Sequence, residues 1–144
     1  MATSPLPRPE PPRDMGRPGW TLLASGDETN GGFELFHEVR PVVGGPPPHV
    51  HRDRDEGFFV LEGRFRFERG HEELELQPGD FSLVPRGTRH AFRTLAAPSR
   101  TLILIAPAGL EEFFRGMGSR MAAGATALEA MAALSAIHDA RPVP

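Results

Sequence analysis

The chain has no cysteine among its 144 residues, which excludes a disulfide framework and a thiolate metal site, and which fits a reducing cytoplasm. No run approaches the roughly 18 apolar residues that a membrane-spanning helix needs. The opening Met1-Ala-Thr-Ser-Pro-Leu-Pro-Arg8 lacks the apolar stretch of a secretory signal, so a cytoplasmic protein is expected. Excess positive charge is also missing. A net charge of -3 gives no footprint for nucleic acid or an anionic membrane surface. No repeat of solenoid period is present. The 16 Pro and 16 Gly favour a turn-rich, all-β body in a chain long enough for one core.

What is present centres on His49-Val-His51-Arg-Asp-Arg-Asp-Glu56-Gly-Phe-Phe-Val-Leu-Glu-Gly63 and a later partner, Pro85-Arg-Gly87-Thr-Arg-His90. Residues two apart on a strand face the same side, so His49 and His51 project together. Glu56 opens an apolar run, and a carboxylate there needs a reason, of which coordination is one. His90 follows a Pro-x-Gly turn at the start of another strand, His90–Thr94. Three imidazoles and one carboxylate suit a borderline divalent transition metal. Asp53 and Asp55 are further oxygen donors in what reads as a solvated loop.

With these residues the chain resembles the cupin family. The family's first motif, G-x5-H-x-H-x3–4-E-x6-G, is met by His49, His51, Glu56 and Gly63. Its second, G-x5-P-x-G-x2-H-x3-N, is met by Gly79, Pro85, Gly87 and His90. The leading glycine is displaced to Gly44, and Thr94 stands where the pattern has Asn; neither is a ligand in the pattern. The likeness covers roughly residues 20–115. It implies a single jelly-roll β-barrel with short C-terminal helices, holding one divalent metal (Fe, Mn, Ni, Zn, Co or Cu) on His49, His51, Glu56 and His90. It also implies Glu56 as the catalytic base and a small organic molecule as substrate. A dioxygenase resembling the quercetin 2,3-dioxygenase-like cupins is the leading expectation. A non-oxidative isomerase, lyase or polyketide cyclase and a non-catalytic binding barrel are the alternatives.

The remaining chain divides into a proline-rich arm at 1–18, the barrel at 19–108 and a helical segment at 109–144. Strands are expected at Trp20–Ser25, Phe33–Val39, from Gly57, at Phe65 and Phe67, and at Glu72–Leu76, Phe81–Val84, His90–Thr94 and Leu102–Ala106. Gln77-Pro-Gly-Asp80 reads as a type II turn, and His71 as a surface residue at a hairpin tip. Alternation puts Phe33, Leu35, His37 and Val39 on one face, which makes His37 a candidate substrate contact. Phe58 and Val60, on the side of Glu56, and Phe92 and Thr94, on the side of His90, are expected to line the cavity. Leu110–Gly116 reads as a helix whose Phe113 and Phe114 pack outside the barrel, with capping of its mouth as the alternative. Met117–Met121 reads as irregular. Ala125–Ile137 reads as an amphipathic helix with Leu128, Met131, Leu134 and Ile137 on its stripe. That helix or the arm offers a contact for a homodimer.

Overall fold

Alternating apolar residues and frequent turns produce eleven strands and two helices in the described residues. The computed structural model describes residues 11–41 and 43–144. Residues 1–10, the greater part of the expected arm, lie outside the described residues, as does Val42. The strands are β1 (Arg13–Asp14), β2 (Trp20–Ala24), β3 (Glu34–Arg40), β4 (His49–Val50), β5 (Asp55–Glu62), β6 (Phe65–Arg69), β7 (Glu72–Leu76), β8 (Phe81–Val84), β9 (His90–Thr94), β10 (Ser99–Ala106) and β11 (Arg141–Pro142). The helices are α1 (Glu111–Ala122) and α2 (Ala127–Leu134).

Two antiparallel sheets form a jelly roll. One has the order β1-β2-β3-β10-β5-β8, the other β11-β4-β9-β6-β7. Non-consecutive neighbours such as β3 and β10, or β4 and β9, bring together residues far apart in the chain. The inward faces pack an aromatic core. Phe58 meets Phe67 at 4.9 Å and Phe92 at 5.3 Å between ring centroids. Burying these side chains stabilises the fold by about 1.5–3 kcal/mol each. Gly79 and Gly87 adopt positive φ, 94° and 80°, in the turns before β8 and β9. His71 is exposed, as its hairpin position implies.

Strand β3 departs from the expected facing. Glu34, Phe36 and Glu38 point inward and are buried, while Leu35, His37 and Val39 lie on the outer face. Apolarity alone favours the opposite register, but both carboxylates find partners there, which for Glu38 counter its desolvation only in part. Glu34 accepts from the N–H groups of Gly109 and Leu110 at 3.0 Å and Glu111 at 3.2 Å, holding the start of α1. Glu38 pairs with Arg40.

The helical segment also differs from its expectation. Met117–Met121 continues α1 rather than breaking it. Its glycines allow close packing: a Cβ on Gly118 would stand 2.6 Å from the carbonyl oxygen of Gly16 and 2.7 Å from Cβ of Arg17. Helix α2 is shorter than the apolar stripe. Met131 and Leu134 are buried, whereas Leu128 and Ile137 are 54% and 78% exposed. A capping box between Thr126 and Glu129 sets its start. Residues 11–18, expected within the arm, contribute β1 to the first sheet and the buried Met15 to the core.

Candidate metal centre

Register places the four donors. His49 on β4 faces His90 on β9 as a direct Cα partner, with ring centroids 4.2 Å apart. His51 follows one residue after β4, and Glu56 is the second residue of β5 in the opposing sheet. Nitrogen or carboxylate atoms from all four lie within 4.8 Å of one another. None of the four residues is more than 5% exposed.

Each imidazole is tied at its back by a backbone carbonyl. His49 Nδ1 donates to Pro47 O at 2.8 Å, His51 Nδ1 to Asp139 O at 2.6 Å and His90 Nδ1 to Thr88 O at 3.0 Å. A carbonyl only accepts, so the proton of each neutral ring sits on Nδ1, and Nε2 presents a lone pair. The Nε2 atoms of His51 and His90 lie 2.8 and 3.0 Å from Oε2 of Glu56. Lone pairs facing a carboxylate oxygen repel unless a proton or a cation stands among them. His51 Nε2 is buried without a hydrogen-bond partner, since its approach to Glu56 is out of line. That orphaned nitrogen and the N3O donor set fit a divalent transition metal.

The charges respond to one another. Burial alone would raise Glu56, but His51 and His90 hold it well below the usual carboxylate range. Burial draws His51 down, yet the Glu56 carboxylate and the Asp139 carbonyl carry it above its ordinary value. His49 is pushed down to about 3, chiefly by burial and then by His90.

Beside His49 and Glu56 lies a cavity of about 30 Å³, room for about two waters. Phe92 lines it, together with Ile103 and Phe113 and Phe114 from α1. The two phenylalanines therefore close the interior instead of packing outside it: Phe114 contacts Trp20 at 4.6 Å and Phe36 at 5.0 Å.

Four of the expected substrate contacts lie off this cavity's wall. His37 is on the outer face of β3, where its Nε2 accepts from Arg100 Nε at 3.2 Å. Phe58 and Val60 do face inward, but they are consumed by the core and are not on this cavity's wall. The Thr94 hydroxyl donates to Gly44 O at 3.1 Å, fastening the loop before β4 rather than lining the cavity. Asp55 pairs with Arg86 through two contacts of 3.1 Å and is absent from the donor cluster, as is the exposed Asp53. Sequence reasoning missed Arg17, Trp20 and Arg40, which also line the cavity. No local pattern marks them, because it is the pairing of β2 with β3 that brings β2, its preceding turn and the end of β3 there.

Comparison with known proteins agrees with this geometry. A cupin domain model matches residues 36–104. The chain is 30% identical over 97 residues to quercetin 2,3-dioxygenase from Bacillus subtilis (strain 168), a match covering 67% of this chain and 29% of that relative. The match thus spans less than a third of the relative's length. Among solved structures, KdgF from Halomonas sp. superposes with a TM-score of 0.58 at 24% identity, over 69% of this chain and 88% of that one. An RmlC-like cupin from Shewanella frigidimarina NCIMB 400 gives 0.56 at 20% identity, over 68% and 84%. These two likenesses establish fold alone. With the family model, the two motifs and the jelly roll in agreement, the chain is a cupin, and it resembles the quercetin 2,3-dioxygenase-like cupins.

Proposed function

We propose that this cupin is a metal-dependent enzyme acting on a small organic substrate, and that its reaction is a dioxygenation. The observation that carries the reading is the convergence of His49, His51, Glu56 and His90, with every Nδ1 held by a backbone carbonyl. The likeness to a quercetin 2,3-dioxygenase supports the oxidative form over the non-oxidative ones.

When bound, a redox-active divalent metal supplies Lewis-acid and electron-transfer chemistry at this site. The protein's own groups do the rest. The three carbonyl acceptors keep the imidazole rings oriented before substrate arrives. Glu56, ionised and adjacent to the cavity, takes the proton from a substrate hydroxyl. Phe92, Phe113 and Phe114 limit water around the reacting atoms. The test is elemental analysis of the purified protein, followed by oxygen uptake with a flavonol or related enol. Iron, manganese, nickel, cobalt or copper with stoichiometric oxygen consumption is expected. Tight zinc with oxygen-independent turnover overturns the oxidative assignment, and binding without turnover across a broad panel overturns the enzymatic one.

A further inference from the structure

The cavity at the metal centre is bordered by two guanidinium groups that the reading above leaves without a task. Arg17 lies over the ring of Trp20, 4.4 Å from its centroid, and Arg40 lies over Phe92 at 4.8 Å. Both line the inner cavity together with His49 and Glu56. Both also line an outer cleft of about 330 Å³, which shares Trp20 with the inner one. The arginines therefore stand at the boundary between the cleft and the donor cluster.

The local charge is unbalanced. Arg40 pairs with Glu38, whose carboxyl is raised above its ordinary value, first by burial and against the pull of Arg40 and Arg17. No ion pair engages the Arg17 side chain among the described residues. Burial pushes Arg17 down to about 10, against the attraction of Glu38 and with the repulsion of Arg40. It remains charged at neutral pH. Glu56, the carboxylate on the inner cavity, is countered by His51 and His90, so at the cleft two cations face Glu38 alone and leave a positive excess that an anion would neutralise. A guanidinium already stacked on an aromatic ring keeps its planar fork available for a carboxylate and loses little freedom on binding.

We propose that Arg17 and Arg40 form an anion-binding subsite and that the substrate is a small organic carboxylate. Its carboxylate group sits at the two arginines. Its reacting end enters the inner cavity beside His49 and Glu56, whose size admits about two water-sized groups. The aromatic and thioether walls (Trp20, Phe114, Met117) favour an apolar body between those ends. The catalytic part of this assignment rests on the metal-centre reading; the anion subsite is separable from it.

The test uses the full chain with benzoate as probe and neutral benzamide as control. Affinity is followed by calorimetry and by the fluorescence of Trp20, the protein's single tryptophan. Benzoate should bind saturably and at least tenfold more tightly than benzamide. Arg17→Gln and Arg40→Gln should each weaken benzoate about tenfold or more, with the benzamide signal unmoved. Arg17→Lys should fall between. Glu38→Gln removes the competing carboxylate and should tighten benzoate several-fold, an outcome that a purely structural role would not produce. If Arg17→Gln does not fold, the Arg40 and Glu38 variants decide the matter. Equal affinity for benzoate and benzamide, or unchanged benzoate affinity in the arginine variants, overturns the proposal. Metal content of the same samples is measured in parallel. Arginine-dependent benzoate binding in protein that takes up no metal upholds the subsite and removes the metal reading alone.

Discussion

The Nδ1 of His51 donates to the backbone carbonyl of Asp139 across 2.6 Å, linking residues 88 positions apart. The Asp139 carboxylate grips the same loop: it accepts from the N–H of Arg52 at 2.6 Å and of Asp53 at 2.8 Å, and pairs with Arg54 at 3.2 Å. Strand β11 then pairs with β4, placing Arg141 opposite Val50 and Pro142 opposite His49. The end of the described chain is thus part of the support behind two of the candidate donor imidazoles.

Asp139→Ala should therefore loosen the carbonyl that holds His51 without touching a metal donor. Metal affinity is expected to fall about 10- to 100-fold, the usual cost of losing an outer partner. Competition with a chromophoric chelator measures it, and an unchanged affinity would separate the tail from the site.

Replacing a donor should have a larger effect. His51→Ala or His90→Ala is expected to abolish stoichiometric metal while leaving most of the fold intact by circular dichroism. Glu56→Gln keeps a coordinating oxygen but cannot accept a proton, so occupancy should partly survive while turnover falls. Full turnover in the Glu56 variant would remove that residue from proton transfer.

Acid should destabilise the metal-free protein through His49. Its folded pKa, about 3, lies below the 6.5 of the free side chain, so between those values the unfolded chain binds the extra proton. The contribution is present in full above pH 6.5 and is lost as pH falls toward 3, by up to about 1.4 kcal/mol per pH unit. Glu56, held below its ordinary range, acts in the same direction at lower pH. His51 is raised, so its contribution is present below pH 6.5 and lost as pH rises through its folded pKa. Denaturant melts of chelator-treated protein between pH 4 and 7 would show this slope; a flat profile would contradict it.

Glu34 should matter to the helix and not to the metal. Glu34→Ala leaves three N–H groups at the start of α1 without their acceptor. A loss of about 1–3 kcal/mol is expected in urea unfolding. Metal occupancy in the folded variant should be unaffected.

Much of the sheet was legible because period-two alternation and turn chemistry act locally. The bounds of β7, β8 and β9 fall where the sequence puts them. The Pro78-Gly79 turn closes with Asp80 N–H donating to Gln77 O at 3.0 Å. Facing failed at β3, where hydropathy assigned Leu35 and His37 inward. Glu34 and Glu38 displaced them because the helix start and Arg40 supply buried partners that no local window contains. Likewise, Met117–Met121 reads as irregular but continues α1, where Gly116 and Gly118 serve close packing, against Leu134 and against Gly16 and Arg17.

By itself the sequence marked His49, His51, Glu56 and His90 as candidate donors, through strand alternation at His-x-His, a carboxylate opening an apolar run, and the likeness to the cupin motifs. Tertiary structure alone decided what stands behind and beside them. The Asp139 carbonyl, the Arg17–Arg40 pair and the Phe113–Phe114 closure arrive from the bend before β11, the turn before β2, the end of β3 and α1. Their positions depend on long-range pairing and on the partners available to buried charges, and neither quantity is encoded in the spacing of neighbouring residues.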